Sequence, residues 1–319
     1  MSNVLIVVPC FDEAERLDGD AFIEFVRTNE SASVLFVDDG SRDGTASLLR
    51  DICASAPGSL ELISLPKNCG KGEAVRRGML EGLSREGTDL VGFWDADLAT
   101  PLSAVADFVT VMDRDPSLLV CMGARAQLLG RRISRSAQRH YLGRVFATAA
   151  SMVLRLPVYD TQCGAKLFRQ DPAVRLVFAT PFLSRWIFDV EVLARLGAVL
   201  GASSLRERVY ELVLRQWEDV SGSKRSTSVY VIAIRDMWRI WRTMPRIEEG
   251  SEVIAEETPE GILIRPAMTV PIEVYADDRK AEFLLTNAVD AEDYRRAQEE
   301  VRRMGLDPSK IEHVRPADA

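Results

Sequence analysis

Short apolar runs alternate with longer amphipathic stretches through the first 125 residues. Near-continuous apolar segments occur at "VLIVV" (4–8), "SVLFV" (33–37), "LELISL" (60–65), "DLVGFW" (89–94) and "SLLVCMG" (117–123). Runs of this length, rich in Val, Leu and Ile and bounded by polar clusters, predict strands buried on both faces. Helix-like stretches fall between them, around 13–28, 43–54, 71–86 and 101–114, with Pro101 placed for a first helical turn and Thr45 following a glycine. This alternation predicts an α/β domain built on a mainly parallel sheet flanked by helices.

Such sheets bind ligands at the carboxyl ends of their strands, and the polar clusters fall there. "PCFDE" follows the first strand, "DDGSRDGT" the second, "PKNCGKG" the third and "DAD" the fourth. Four polar loops on one sheet edge describe one site. In the last of them an apolar run, Val91 to Trp94, ends on Asp95 and Asp97. Carboxylates at the margin of a core are costly unless a positive charge meets them. Asp-x-Asp at a strand end suits a hard divalent cation, Mg²⁺ or Mn²⁺, bridging to a diphosphate. Lys67 and Lys71, with Gly70 and Gly72, add charge and backbone N–H groups at a helix start.

Other chemistries lack material. "NCGKGE" is not a Walker A loop, and "VVPCFDE" does not supply the G-x-G-x-x-G of a dinucleotide fold. The two histidines, His140 and His313, leave nothing for a histidine-rich metal site or a Ser-His-Asp triad. Five widely spaced cysteines without a C-x-x-C pair argue against structural zinc and disulfides, and fit a reducing cytosol. No apolar run approaches the ~20 residues of a membrane span, and the N-terminus lacks the basic segment and cleavage site of a signal peptide.

The net charge of −8 is unevenly placed. Of 48 acidic and 40 basic residues, 18 and 10 lie from Arg246 onward, so the first 245 residues hold 30 of each. The acidity belongs to a separate C-terminal module with strand-like runs at 262–264, 269–275 and 282–286 and a helix-like run at 290–304. Before it, residues 124–144 hold six arginines and no acid. Tyr230, Ala233, Ile234, Met237, Trp238, Trp241 and Met244 recur at helical spacing, with Arg235, Arg239 and Arg242 expected on the opposite face. This amphipathic helix either packs on the catalytic domain or lies at a membrane surface.

The motifs "VVPCFDEAERL", "VDDGSRDGT", "NCGKGEAVRRGM" and "DADLATP", in this order, resemble those of family 2 inverting glycosyltransferases, which have the GT-A fold. "DTQCGAKLF" (160–168), "RWIFDVEVL" (185–193) and "WEDVSGSK" (217–224) resemble the branch acting as dolichyl-phosphate or polyprenyl-phosphate β-glucosyltransferases. The resemblance spans roughly residues 3 to 245. It implies a uridine pocket lined by Pro9, Phe11 and Glu13, with Asp39 reaching the base or ribose. Asp12 stands where the family more often has Asn. Lys71 and Asp95 would sit near the nucleotide, Asp97 would hold the metal on the diphosphate, and Arg125 would end the fifth strand in the place of the family's "GSR" arginine. Asp160 and Gln162 would face the sugar, with Arg185, Trp186, Asp189 and Glu191 near the donor sugar and the acceptor.

The resemblance implies a UDP-sugar donor, with glucose the expected sugar. A lipid-phosphate acceptor is already anionic and needs cations more than a base, and Arg131, Arg135, Arg139, Lys224 and Arg225 are available for it. An alcohol acceptor would need a carboxylate base, for which Asp189 and Glu191 are the candidates. The chain begins directly at the fold, without the membrane anchor this branch usually carries there, so a soluble hydroxyl acceptor is the alternative reading. The expected organisation is a catalytic domain over 1–222, the amphipathic helix over 223–246 and a small α/β appendage over 247–319. The expected setting is peripheral, at the cytoplasmic membrane face. No nucleic-acid partner is implied, and a homo-oligomer stays open.

Overall fold

The structure, a computed structural model, describes residues 2–134, 137–218, 228–243, 253–258, 261–266, 277–286 and 291–311. The chain divides into two compact units, Met1–Ala267 and Met268–Ala319.

The first unit opens with β1 (Val4–Cys10), α1 (Gly19–Thr28), β2 (Ala32–Asp38), α2 (Thr45–Ser55), β3 (Leu60–Ser64), α3 (Lys71–Leu83), β4 (Leu90–Phe93), α4 (Val105–Arg114) and β5 (Val120–Ala124). It continues with β6 (Arg132–Ser134), α5 (Ala137–Leu154), β7 (Lys166–Arg169), α6 (Pro172–Ala179), α7 (Phe188–Leu200), α8 (Ala202–Arg208), β8 (Val209–Val213) and β9 (Gln216–Glu218). The helix α9 (Ser228–Thr243) and a hairpin of β10 (Val253–Thr258) and β11 (Gly261–Pro266) complete its described part.

Seven strands form one sheet in the order β3-β2-β1-β4-β7-β5-β8. All neighbours pair in parallel except β7, which runs antiparallel between β4 and β5. The five strands predicted from the apolar runs are all present. β1 reads as a continuous apolar run because both its faces are covered. Val4, Ile6 and Val8 face a core completed by Phe22, Phe25, Leu49, Ile52, Phe108 and Met112 from α1, α2 and α4. Leu5 and Val7 face the opposite layer, with Val75, Met79, Val177, Phe178, Phe188 and Leu196 from α3, α6 and α7. The period of two along a strand thus feeds two helical layers from one sequence.

In the second unit, α10 (Asp277–Thr286) and α11 (Ala291–Arg303) bury Ala281, Leu285, Tyr294 and Val301 together. Residues 282–286 are therefore helical, not a strand: Ala281 and Leu285 stand four apart on one helical face, and packing against α11 settles the period. The expected helix over 290–304 is α11. The expected strand over 269–275 lies outside the described residues.

Candidate active site

The loops at the carboxyl edge are built by specific contacts. After β1, Phe11 is exposed at the edge and Pro9 is partly buried. Asp12 has φ of 52°, in the left-handed region that Asn and Asp tolerate best, and its carboxylate accepts the Arg42 N–H at 2.8 Å. After β2, the two oxygens of buried Asp39, expected at the base or ribose, accept the N–H groups of Cys69 and Gly70, each at 2.7 Å. Arg185 holds the same loop from the other side, donating to the Cys69 carbonyl at 3.0 Å and to Asn68 Oδ1 at 2.9 Å. Gly70, at φ +97°, is required there: a Cβ would lie 2.6 Å from Arg185 Nε. Clamped in this way, the loop starts α3 at Lys71, whose Nζ donates to Asp95 Oδ1.

Asp95 and Asp97 follow β4, where Trp94 is buried edge-on to Phe108 and donates Nε1 to the Thr100 carbonyl at 2.9 Å. The turn is tight: Leu98 has φ of 51°, a strained value for a branched residue. The loop before β7 crosses directly over Asp95, and at Gly164 a Cβ would lie 1.9 Å from Asp95 Oδ2. Because β7 runs against its neighbours, the residues preceding it, not those following it, reach the carboxyl edge.

Three pairs converge on this point. Besides Lys71–Asp95, buried Arg125 meets Asp160 through Nε at 2.6 Å and Nη2 at 2.8 Å, and its guanidinium lies 5.3 Å from the Trp217 ring centre. Buried Lys166 meets Asp189 at 2.5 Å and the Cys163 carbonyl at 2.6 Å. Glu211 of β8 sets the frame by accepting the N–H groups of Tyr159 and Asp160 at 2.8 and 2.9 Å. Glu191 is fully buried, accepting from the Leu183 and Ser184 N–H groups and from Arg195. Neither of the two expected bases therefore has a carboxylate without a partner.

Charge is compensated unequally. Burial disfavours the Lys71 ammonium, but Asp95, Asp189 and Asp97 outweigh it and hold its pKa above the usual lysine value. Burial likewise opposes ionised Asp95, yet Lys71, Lys166 and Arg125 bring its pKa below the usual carboxylate range. Asp97 is pushed up by burial and by Asp95. Glu13 is raised by burial, partly offset by Arg16, with Asp97 and Asp95 adding to the rise. Asp97 Oδ1 accepts the Ala99 N–H at 3.1 Å, and Glu13 Oε2 is buried with no partner. Asp97, under-compensated beside the paired Asp95, offers hard oxygen ligands of the kind that fit a divalent cation. Among the described residues no group of three or more His, Cys, Asp or Glu forms a metal cage, so the ion would share its coordination with ligand oxygens and water.

Gln162 stands in the same loop with Nε2 buried and unpartnered, as does Thr161 Oγ1. Trp186 and Arg185 are exposed at the turn before α7. Arg131 is exposed beyond β5; Arg135 and Lys224 lie outside the described residues, and Arg139 is in α5 with its side chain outside them. Sequence reasoning missed Lys166, Gly164 and Glu211. A lysine inside the apolar "AKLF" run was the available signal for the first.

A mostly parallel sheet with β7 reversed, gathering these charges at its carboxyl edge, has the GT-A architecture, and the class it defines is a nucleotide-sugar glycosyltransferase. The chain belongs to glycosyl transferase family 2, whose profile matches residues 5–176. It is 33% identical over 233 residues to the dolichyl-phosphate beta-glucosyltransferase of Dictyostelium discoideum, spanning 69% of this chain and 67% of that one. The Homo sapiens enzyme of the same name is 30% identical, over 69% of this chain and 68% of its own length. Glucosyl-3-phosphoglycerate synthase from Mycobacterium tuberculosis shares the fold, with TM-score 0.54 and 16% identity over 84% of this chain and 89% of that one. That protein has also been crystallised with Mn²⁺ and UDP-glucose, in a structure matching at TM-score 0.53 and 15% identity over 83% of this chain and 86% of its own. Among the described residues, no helix is long and apolar enough to cross a membrane.

Proposed function

We propose that the protein transfers glucose from UDP-glucose to a polyprenyl or dolichyl phosphate, with inversion, at the cytoplasmic face of a membrane. The relatives' names support the substrates, since the matched proteins are dolichyl-phosphate beta-glucosyltransferases and two thirds or more of each is covered. The observation that carries the reading against a hydroxyl acceptor is the state of the two candidate bases. Glu191 is saturated by its own scaffold and Asp189 is paired to Lys166. An acceptor phosphate is already ionised and needs neither.

A divalent ion, Mg²⁺ or Mn²⁺, when bound neutralises the donor diphosphate and the charge that grows on it as it departs. Asp97 would hold it, with Asp95 alongside. Phe11, Pro9 and Glu13 edge the uridine side. Lys71, fixed at the start of α3, stabilises the leaving diphosphate. Arg125 and Asp160 hold the loop carrying Gln162 at the sugar. The arginines at 131, 135 and 139 and Lys224 receive the acceptor phosphate, with Trp186 and Arg185 at that side. The acceptor oxygen attacks the anomeric carbon as the bond to UDP breaks, and no proton has to leave the nucleophile.

A matrix of radiolabelled UDP-glucose, UDP-galactose and GDP-mannose against polyprenyl phosphate and hydroxyl acceptors tests the proposal. The expected product is a chloroform-soluble glucosyl phospholipid, formed only from UDP-glucose and abolished by chelator. Transfer to hydroxyl acceptors alone, or transfer indifferent to chelator, would overturn it.

A further inference from the structure

A lysine opens β7 in the middle of the sheet. Lys166 stands in register with Phe93 of β4 and Met122 of β5, and it is 1% exposed. Its Nζ lies 5.2 Å from the Phe93 ring centre, in the layer where Phe93 also meets Phe188 of α7. There Nζ makes two short contacts, to Asp189 Oδ1 in the first turn of α7 at 2.5 Å and to the Cys163 carbonyl at 2.6 Å. A buried ion pair gives little net stability, because desolvation offsets most of the attraction and apolar residues of similar volume commonly do as well. What apolar residues cannot supply is direction. The two contacts tie the loop before β7 to the start of α7 at one atom.

That loop is thereby fixed on both sides of Gln162. Before it, the Asp160 carboxylate, paired with Arg125, accepts the Gln162 N–H at 3.1 Å, and Glu211 accepts the Asp160 N–H at 2.9 Å. After it, the Cys163 carbonyl is the group that Lys166 holds. One residue further, Gly164 passes so close to Asp95 that a Cβ would lie 1.9 Å from Oδ2. Between the two anchors, Gln162 Nε2 and Thr161 Oγ1 are buried with no hydrogen-bond partner in the protein. Buried polar groups left unpaired cost free energy. A loop pinned at both ends keeps them in place for the oxygens of a ligand.

We infer that Lys166 is a positioning residue for the sugar end of the donor: held by Asp189, it fixes the Cys163 carbonyl so that the Gln162 amide meets a hydroxyl of the transferred sugar. Lys166 does not touch the sugar; it acts through the loop. The anchors are read from this chain's geometry, and the identity of the sugar nucleotide rests on the proposed UDP-glucose donor. Lys71 serves the diphosphate, which UDP and every UDP-sugar share, whereas the pinned loop serves the part that UDP lacks. Loss of the pin should therefore leave UDP recognition intact and loosen recognition of the sugar.

The test is calorimetric titration of the full chain with UDP and with UDP-glucose, at constant Mn²⁺. Lys166→Met alone strands the Asp189 carboxylate in the core and can unfold the protein, so Lys166→Met with Asp189→Leu is the working variant. In it the ratio of the UDP-glucose Kd to the UDP Kd should rise about five- to tenfold, as for one lost hydrogen bond, with circular dichroism matching the parent. Gln162→Ala should raise the ratio by a similar factor. In the Gln162→Ala background the working variant should add nothing further, because the pin acts through that amide. Hydrogen exchange of the 161–165 amides should quicken in the working variant, with the β1 amides unchanged. If that variant unfolds, Asp189→Asn, which slackens the anchor and keeps the lysine, should shift the ratio the same way. An unchanged ratio, equal weakening of UDP and UDP-glucose, or full additivity with Gln162→Ala would reduce the pair to a structural role and overturn the inference. A parent that favours another sugar nucleotide would sink the proposed donor, and the same ratio taken with that nucleotide would still decide the role of Lys166. A parent that binds no sugar nucleotide would sink both.

Discussion

Asp160→Asn is the perturbation that most directly tests how the site is assembled. Arg125 and Asp160 are each 7% exposed and meet through two short N–H···O contacts. The Arg125 backbone N–H also points at Asp160 Oδ2, at 3.2 Å. Asparagine keeps the shape but loses the charge, and its amide nitrogen would oppose one set of these donors. Removing one partner of a buried pair costs about 3–5 kcal/mol, because the other charge stays desolvated. For a domain of this size that corresponds to a melting temperature lower by about 6–20 °C. Urea unfolding followed by far-ultraviolet dichroism gives the global value. Fluorescence of Trp217, 5.3 Å from the guanidinium, gives a local one. The double change Arg125→Met with Asp160→Leu should recover most of the loss, since apolar groups of similar volume replace buried pairs without penalty. It should nevertheless weaken UDP-glucose binding if the pair serves the donor. A cost for Asp160→Asn below ~1 kcal/mol, the worth of an exposed pair, would refute the reasoning.

Three further outcomes are expected. Asp97→Asn should raise the melting temperature of the metal-free protein, by relieving repulsion from Asp95, while abolishing Mn²⁺-dependent UDP binding in calorimetry. Because burial and like charge raise Glu13 and Asp97, the native state holds more protons than the unfolded chain above the usual carboxylate range. Metal-free stability should therefore fall as pH rises through and above that range, and stabilisation by Mn²⁺ should grow with it; a metal effect independent of pH there would contradict the assignment. Gly164→Ala places a methyl 1.9 Å from Asp95 Oδ2 and must displace it from Lys71, so UDP-glucose affinity should drop about 10–100-fold, against no change if the carboxylate is a bystander. Glu191→Gln should cost about 2 kcal/mol of stability with turnover largely kept, whereas a thousandfold loss of kcat in a folded variant would restore it as a base.

The sequence made the first half of the fold readable because each of its strands carries a long apolar run and each loop a polar cluster. β7 was harder to see: four residues, two of them Lys166 and Arg169, do not make a strand pattern, yet tertiary pairing on both sides recruits them. The roles of individual carboxylates were less legible than their location. Asp39, Asp189 and Glu191 all sit near the expected edge, but whether a carboxylate is free depends on donors distant in sequence, such as Lys166 and Arg195, or on backbone N–H groups. The helical period placed α9 correctly and divided its faces wrongly. Its buried stripe is narrow, and a hydrophobic scale counts Trp238 with Met237 although only one of them is covered.

The reversed strand has a consequence in time. β1 to β4 each have a partner already made or made soon after, joined by single helical crossovers. β5 pairs only with β7 and β8, so it must wait through the 41 residues from Arg125 to Ala165 before its first neighbour exists. A growing chain therefore holds a four-strand half-sheet with an open edge at β4, and a detached apolar strand, until Lys166 to Arg169 emerge between them. Open edges and unpaired apolar strands attract chaperones and other chains. Asp95 and Asp97 come early in this order, whereas Asp160, Gln162 and Gly164 come later and close over them, before Asp189, Glu211 and Trp217. Pulsed hydrogen exchange on the refolding protein would show the β5 amides protected with those of β8, after β1 and β2. Synthesis thus presents the two aspartates well before the residues that complete the sugar side of the site.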